Sequence, residues 1–334
     1  MKKIILLFVA VLFSFQSFSQ DTFSIIAVDP ATGEVGSAGA SCVTGIGAQG
    51  IIDIINDIIP GRGGVNSQAS VCIPNVNLQN AITRMQAGDN PNQVIDWLLN
   101  NDDCSFGGVQ DRQYGVADLD TGGNPRTAGF TGTSTLSYAE DRQGATYSVQ
   151  GNILLDQSVI DNMEDNFNNT IGTLADKLMA ALQGANFAGA DSRCLAAGTS
   201  STTAYLQVFK ANDDPNDPYL RLNVGEQASG IEPIDILQDL YDDFLLSTPE
   251  TDLAAAIRLF PNPATNQITI AREAFVELQS ITIYNIEGKI VFTNETPSRT
   301  NLQEIINISS LQTGAYFLQL NTNQGTTALR FVKR

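Results

Sequence analysis

The sequence contains no histidine, and that absence excludes Ser-His-Asp and Cys-His catalysis, His-ligated metals and imidazole proton transfer. A base in this chain must be a carboxylate, a lysine or an α-amino group. Two polar clusters fall at the ends of segments that read as strands, where sites tend to be built: Asp111-Arg112-Gln113 precedes one, and Gln150-Gly151-Asn152 closes another. Gln150 and Asn152 are of a type to donate hydrogen bonds to an oxyanion, and Arg112 or Arg193 to hold a carboxylate. The same residues allow a plainer reading, in which Asp111 with Arg112 and Asp191 with Arg193 are salt links that close loops. Asn212-Asp213-Asp214 with Asp217 offers oxygen ligands for Ca²⁺, but it lacks the glycine and distal glutamate of an EF-hand loop and reads better as a solvated acidic turn. No metal or other cofactor is expected.

The chain opens on Met1-Lys2-Lys3, continues through an apolar run from Ile4 to Phe15, and reaches small residues at Ser17-Phe18-Ser19. This is the pattern of a cleavable signal peptide over residues 1–20, with cleavage beside Gln20. The run is shorter than the roughly 20 apolar residues of a spanning helix, and no stable membrane span is expected. An exported chain meets an oxidising compartment, so Cys42, Cys72, Cys104 and Cys194 are expected to form two disulfides. Their spacings of 30, 32 and 90 residues match no CxxC metal pattern. Of the three possible connectivities, Cys42 with Cys72 and Cys104 with Cys194 is preferred, because the first two lie on consecutive expected strands.

The elements that would position these residues follow from periodicity. Thr22 to Val28, Gly33 to Val43 and Gly64 to Ile73 read as buried strands. Val94, Trp97 and Leu98 then repeat at helical spacing behind Asn90-Pro91, an N-cap followed by proline at the first helical position; a helical pair is expected between Asn77 and Asn100. Strands return at Asp111 to Asp118, Arg126 to Phe130 and Thr146 to Gln150. Two helices follow, marked by Ile160, Met163 and Phe167 and by Leu174, Leu178 and Leu182. Thr202 to Phe209 and Tyr219 to Val224 are strands, and Pro233 opens a last helix. Strands grouped apart from paired helices argue for an α+β domain, a four-layer αββα sandwich, rather than alternating βαβ units. The tail reads as a small all-β sandwich, with a hairpin at Ile281 to Phe292 turning at Glu287-Gly288.

Charge marks the division between the two. Residues 21–257 hold 9 Lys and Arg against 31 Asp and Glu, whereas residues 258–334 hold 7 against 5. An acidic main domain argues against nucleic acid as a partner, since phosphate binding draws on Lys and Arg. The expected organisation is a signal peptide at 1–20, a main domain at 21–248, a linker at 249–258 and a tail module at 259–334. Association into a homo-oligomer is left open.

The tail resembles the C-terminal sorting domain of type IX secretion substrates in Bacteroidetes. The match runs from Phe260-Pro261-Asn262-Pro263 through Ile283-Tyr284-Asn285 and Gly288-Lys289 to Leu311-Gln312-Thr313-Gly314-Ala315-Tyr316-Phe317, ending on Phe331-Val332-Lys333. It implies type IX machinery as partner through residues 259–334, and export via periplasm and outer membrane to the cell surface or medium. The main domain resembles the uncharacterised-domain family 1028. The matching stretches are Thr22 to Pro30 with Gly33, Gln68, Asp111 to Val116, Gly129-Phe130-Thr131-Gly132, Tyr147 to Asn152, Gly189-Ala190-Asp191 with Arg193, and Asp217 to Val224. That resemblance implies the fold of the N-terminal-nucleophile hydrolases and places Thr22, which opens the first strand, in the nucleophile's position.

Such an enzyme attacks a carbonyl with the first residue's hydroxyl and uses the same residue's free α-amine, of pKa roughly 7.7, as base. It needs no histidine. The expected activity is hydrolysis of an amide, peptide or related C–N bond, with Thr22 as nucleophile, Gln150, Asn152, Asp111 and Arg112 in the catalytic surroundings, and Gln68, Asp191 and Arg193 toward the unknown substrate. Cleavage beside Gln20 leaves Thr22 blocked, so further trimming is required. The competing expectation is a non-catalytic secreted or cell-surface binding domain on the same fold.

Overall fold

The computed structural model describes residues 19–20, 22–247, 253, 256–298 and 301–334. The expected signal segment, apart from Ser19 and Gln20, and most of the expected linker lie outside the described residues. The chain divides into two compact units, one ending at Leu240 and the other beginning at Tyr241.

In the first unit, β1 (Ser19–Gln20), β2 (Thr22–Asp29) and β3 (Glu34–Ser41) are followed by a one-turn helix α1 (Ile52–Ile55), β4 (Asn56–Ile59) and β5 (Gly63–Ser70). Helices α2 (Val76–Gln86) and α3 (Pro91–Asn100) form the expected pair. Asn75 caps α2 by accepting the Leu78 N–H, and Asn90 caps α3 in a reciprocal box with Gln93, with Pro91 just inside. Then come β6 (Arg112–Leu119), β7 (Pro125–Thr131), β8 (Glu140–Gln143) and β9 (Tyr147–Gly151), helices α4 (Ser158–Asn169) and α5 (Leu174–Gly184), β10 (Thr203–Phe209) and β11 (Leu220–Val224), and then α6 (Pro233–Ser247), which runs across the division at residue 240.

The strands form two antiparallel sheets. One runs β1-β5-β6-β7, with β4 sharing the β5 edge; the other runs β11-β10-β3-β2-β9-β8. The sheets face each other through β2, β3, β5, β6 and β9; α2 and α3 cover the first, and α4 and α5 the second. The result is the expected helix–sheet–sheet–helix arrangement. Because β2 and β3 are covered on both faces, nearly every residue in them is buried. The close seat of α5 explains Gly36 in β3: a Cβ there would stand 2.6 Å from Leu178 Cδ1.

The disulfides correct the expected pairing. Cys42 joins Cys194, with Cα atoms 5.8 Å apart, and Cys72 joins Cys104 at 5.5 Å, both within normal bridging distance. Cys42 and Cys72 follow β3 and β5, which are neighbours in the expected strand order but belong to opposite sheets. Sequence adjacency therefore did not bring their ends together.

The second unit holds two sheets of its own. One contains β12 (Ile257–Phe260), β13 (Gln267–Arg272) and β16 (Gln303–Asn307). The other contains β14 (Leu278–Asn285), β15 (Ile290–Asn294), β17 (Gly314–Thr322) and β18 (Gly325–Lys333). Ile268, Ile270, Ile281, Ile283, Leu318 and Leu320 fill one core between them, and Tyr316 stacks on Phe331 at 5.4 Å. Among the described residues no helix is long and apolar enough to cross a membrane.

Candidate functional site

Between the two sheets of the first unit, one region is apolar and another is not. Ile26, Val28, Val35, Ile58, Leu119 and Phe209 pack as an oily cluster. Toward the other end of the same strands the interior positions carry Thr22, Ser24, Ser37, Asn66, Gln68, Gln113, Ser148 and Gln150, all 1% exposed or less. The strand period of two puts Thr22 and Ser24, Asn66 and Gln68, and Ser148 and Gln150 on matching faces.

These side chains satisfy one another. Ser24 Oγ donates to Gln68 Oε1 at 2.6 Å and accepts from Gln150 Nε2 at 2.6 Å and Asn66 Nδ2 at 3.0 Å. Gln68 Nε2 donates to Gln113 Oε1 and to the Thr22 carbonyl, at 2.8 and 3.0 Å. Gln113 in turn donates to Thr131 and to the carbonyls of Glu140 and Gly151, tying β6 to β7, β8 and β9. In the other direction Asn66 accepts from Ser37 and Asn56, Asn56 from Gln207, and Gln207 from Arg221. Gly115 provides the room: a Cβ on it would stand 1.9 Å from Gln150 Oε1.

At the head of the layer Thr22 is wholly buried. Its backbone N–H donates to Asn152 Oδ1 at 3.2 Å, while the Asn152 N–H donates to the Thr22 carbonyl at 3.1 Å. The residues following the two polar groups around Thr22 depart from ordinary backbone: Ala69, after Gln68, has φ 72°, and Ile153, after Asn152, has φ 54°. Left-handed conformations are uncommon outside glycine and costly for a β-branched residue, and they concentrate where a site holds its geometry under strain. On the opposite sheet Ser19 and Gln20 pair with Ser70 and Ala69, whereas Thr22 pairs with Ser41 in β3.

The structure brings Thr22, Gln68, Gln150 and Asn152 together and sets the remaining expected residues elsewhere. Asp111 caps a short 3-10 turn by accepting the Gly108 N–H. Arg112 does not pair with it. The Arg112 guanidinium, 1% exposed, meets Asp102 at 3.1 Å and donates to the carbonyls of Ser70 and Phe106, pinning the loop that carries Cys104. Asp191 and Arg193 do form a salt link, at 2.6 Å, and Asp191 also accepts the Cys42 N–H, so this pair closes the turn at the Cys42–Cys194 bridge. Asp213 accepts the N–H groups of Lys210 and Tyr219, folding the acidic turn. Among the described residues no cluster of three or more His, Cys, Asp or Glu side chains is arranged to hold a metal.

Ser24 and Asn66 escaped the sequence reading, and Gln113 was noted there only as the last member of the Asp111-Arg112-Gln113 cluster, without a role. Their signal was present, as polar residues recurring at alternate positions in strands otherwise read as buried.

The model of DUF1028, a family of unknown function, matches residues 22–234, and that of the secretion system C-terminal sorting domain matches residues 258–334. The crystal structure of protein SPO2555 from Silicibacter pomeroyi, described as DUF1028, is similar with a TM-score of 0.51 at 24% identity, covering 67% of this chain and 89% of that one. At that identity the likeness speaks for the fold alone. None of the curated proteins matches the chain. The sorting tail indicates export through type IX secretion to the cell surface or extracellular space.

Proposed function

Because the chain belongs to the family of unknown function DUF1028 and ends in a secretion system C-terminal sorting domain, we propose that it is an exported amide hydrolase of the N-terminal-nucleophile type. On this reading residues 1–20 are a signal peptide, 21–248 the hydrolase-like domain, 249–258 a linker and 259–334 the sorting module of a Bacteroidetes protein. Thr22 is the nucleophile, acting on an amide, peptide or related C–N bond.

The observation that carries the reading is the Asn152 side-chain oxygen set on the Thr22 nitrogen. Once the bond between residues 21 and 22 is opened, that nitrogen becomes an α-amine with a pKa of roughly 7.7, held where it can take the proton of its own hydroxyl. The hydroxyl oxygen adds to the substrate carbonyl, the amine carries the proton to the departing nitrogen, and water releases the acyl group in a second round. Gln150 turns its amide nitrogen into the polar layer toward Ser24, and Asn152, whose oxygen already holds the Thr22 nitrogen, is the candidate for orienting the oxyanion. Gln68 fixes the Thr22 carbonyl, and the strained links after Gln68 and Asn152 hold both groups in place. Asp111, Arg112, Asp191 and Arg193 act on this reading as supports of the disulfide-bridged loops.

Full burial of Thr22 favours a second reading, a non-catalytic binding domain on the same fold. Intact mass and N-terminal sequencing of the protein recovered from its host's medium or cell surface separate the two. A chain beginning at Thr22, whose turnover of an amide panel disappears in Thr22→Ala, is the expected result. A mature chain beginning at Gln20 or Asp21 would sink the mechanism and leave the binding domain.

A further inference from the structure

Away from Thr22, the far end of the polar layer opens into a cleft of about 490 Å³, a size typical of small-ligand sites. It lies among α1, β4, the start of α2, the β10–β11 pair and the loop at Pro215 to Pro218. Its walls include Ile73, Leu78, Phe209 and Pro218, and its polar groups include Asp57, Gln207 and Arg221.

Two of those polar groups are incompletely matched. Gln207 is 4% exposed, and its amide nitrogen makes one long bond, 3.4 Å to Asn56 Oδ1, so its second hydrogen, at the cleft wall, has no acceptor among the described residues. Such a group costs free energy until something accepts from it. Asp57 accepts only the N–H of its neighbour Ile58, at 2.8 Å, and no cation pairs with it among the described residues, because Arg221 is turned to Asp53 and Gln207. The Asp57 carboxylate reaches water in the cleft, while the packed wall behind it and the nearby Asp53 charge push its pKa up, against the Ile58 bond. A cleft with an unanswered anion on one side, an unanswered donor beside a guanidinium on another, and apolar walls asks for a ligand with the converse pattern.

We propose that this cleft binds a small zwitterion, a free α-amino acid with an apolar side chain. Its ammonium meets Asp57, its carboxylate takes the Gln207 amide hydrogen and faces the Arg221 guanidinium, and its side chain lies against Ile73, Leu78, Phe209 and Pro218. The inference stands apart from the chemistry assigned to Thr22 and holds whether or not the domain is catalytic.

Calorimetric titration of the full exported protein tests it, with L-leucine as probe and 3-methylbutylamine and 4-methylpentanoate as half-ligands. Leucine is expected to bind with a Kd of about 1 mM or below, and each half-ligand at least about tenfold more weakly. Asp57→Asn should weaken leucine and the amine by about tenfold or more while leaving the acid unchanged, and Gln207→Met should do the reverse for the half-ligands. Both substitutions preserve approximate shape, and unchanged thermal unfolding would establish that the fold is intact. No binding of leucine up to about 10 mM, or leucine affinity untouched by Asp57→Asn, overturns the proposal. So does an amine that binds as tightly as the zwitterion.

Discussion

Each unit of this chain packs one sheet against another, and the two fill the gap with different materials. In the tail it is filled by Ile268, Ile270, Ile281, Ile283, Leu318 and Leu320. In the main domain, beside an apolar cluster, a layer of serine, asparagine and glutamine side chains occupies the equivalent space. An apolar core is non-directional and scales with area, so many combinations of similar volume serve. A buried amide layer succeeds only if nearly every donor finds its acceptor, and it then specifies one arrangement. The tail's interior is suited to being stable, and the main domain's to holding particular atoms in place.

The largest expected effect tests the apolar side. Leu318→Ala, at a fully buried position in β17, should destabilise the tail by about 3 to 4 kcal/mol through lost burial and the cavity left behind. Hydrogen exchange of the full chain should place that loss in tail peptides and leave the main domain unchanged. Ser24→Ala removes one oxygen, yet it strips partners from Gln68, Gln150 and Asn66 together. Its cost in urea unfolding should reach about 2 to 3 kcal/mol, far more than its volume predicts. If it costs no more than a typical exposed Ser→Ala change, the contrast between the two interiors fails. A double-mutant cycle of Ser24→Ala with Gln68→Leu should then show coupling of about 1 kcal/mol or more, as expected inside one network.

The smallest effect concerns pH. Tyr147 donates to Glu164 at 2.6 Å, and burial, reinforced by that bond, pushes its phenol up to about 12. The folded state therefore favours the neutral phenol. Its contribution is complete below the unfolded value near 10 and fades as pH rises from about 10 toward 12. Thermal unfolding across that window should show the decline, to which the buried Tyr114 and Tyr205 also contribute, and Tyr147→Phe should make it shallower.

Much of the scaffold was legible because its signals are local. Asn90-Pro91 and the spacing of Val94, Trp97 and Leu98 announced α3, and the strand groups announced the layers. What failed was either too short or too long in range. The stretch from Ile51 to Ile59 sets six isoleucines among Asp53, Asn56 and Asp57 and holds a single helical turn and then β4, with no glycine or proline between them. The cysteine pairing failed because the strands were read in order while their sheet membership was hidden. At the site, Thr22 and Asn152 were picked 130 residues apart in the chain and meet at 3.2 Å, whereas Arg112, expected beside its sequence neighbour Asp111, reaches Asp102 instead.

The layer running from Gln113 through Gln68, Ser24 and Asn66 to Gln207 is built of amides and hydroxyls, groups with no proton to gain or lose in ordinary media. Tyr205, which touches it through Ser37, is driven further from ionisation by burial. For a protein sent outside the cell, this makes the layer itself indifferent to the acidity it encounters there: any acid or alkaline response must arise outside it, at groups such as Tyr147, while the layer keeps one charge state and one shape.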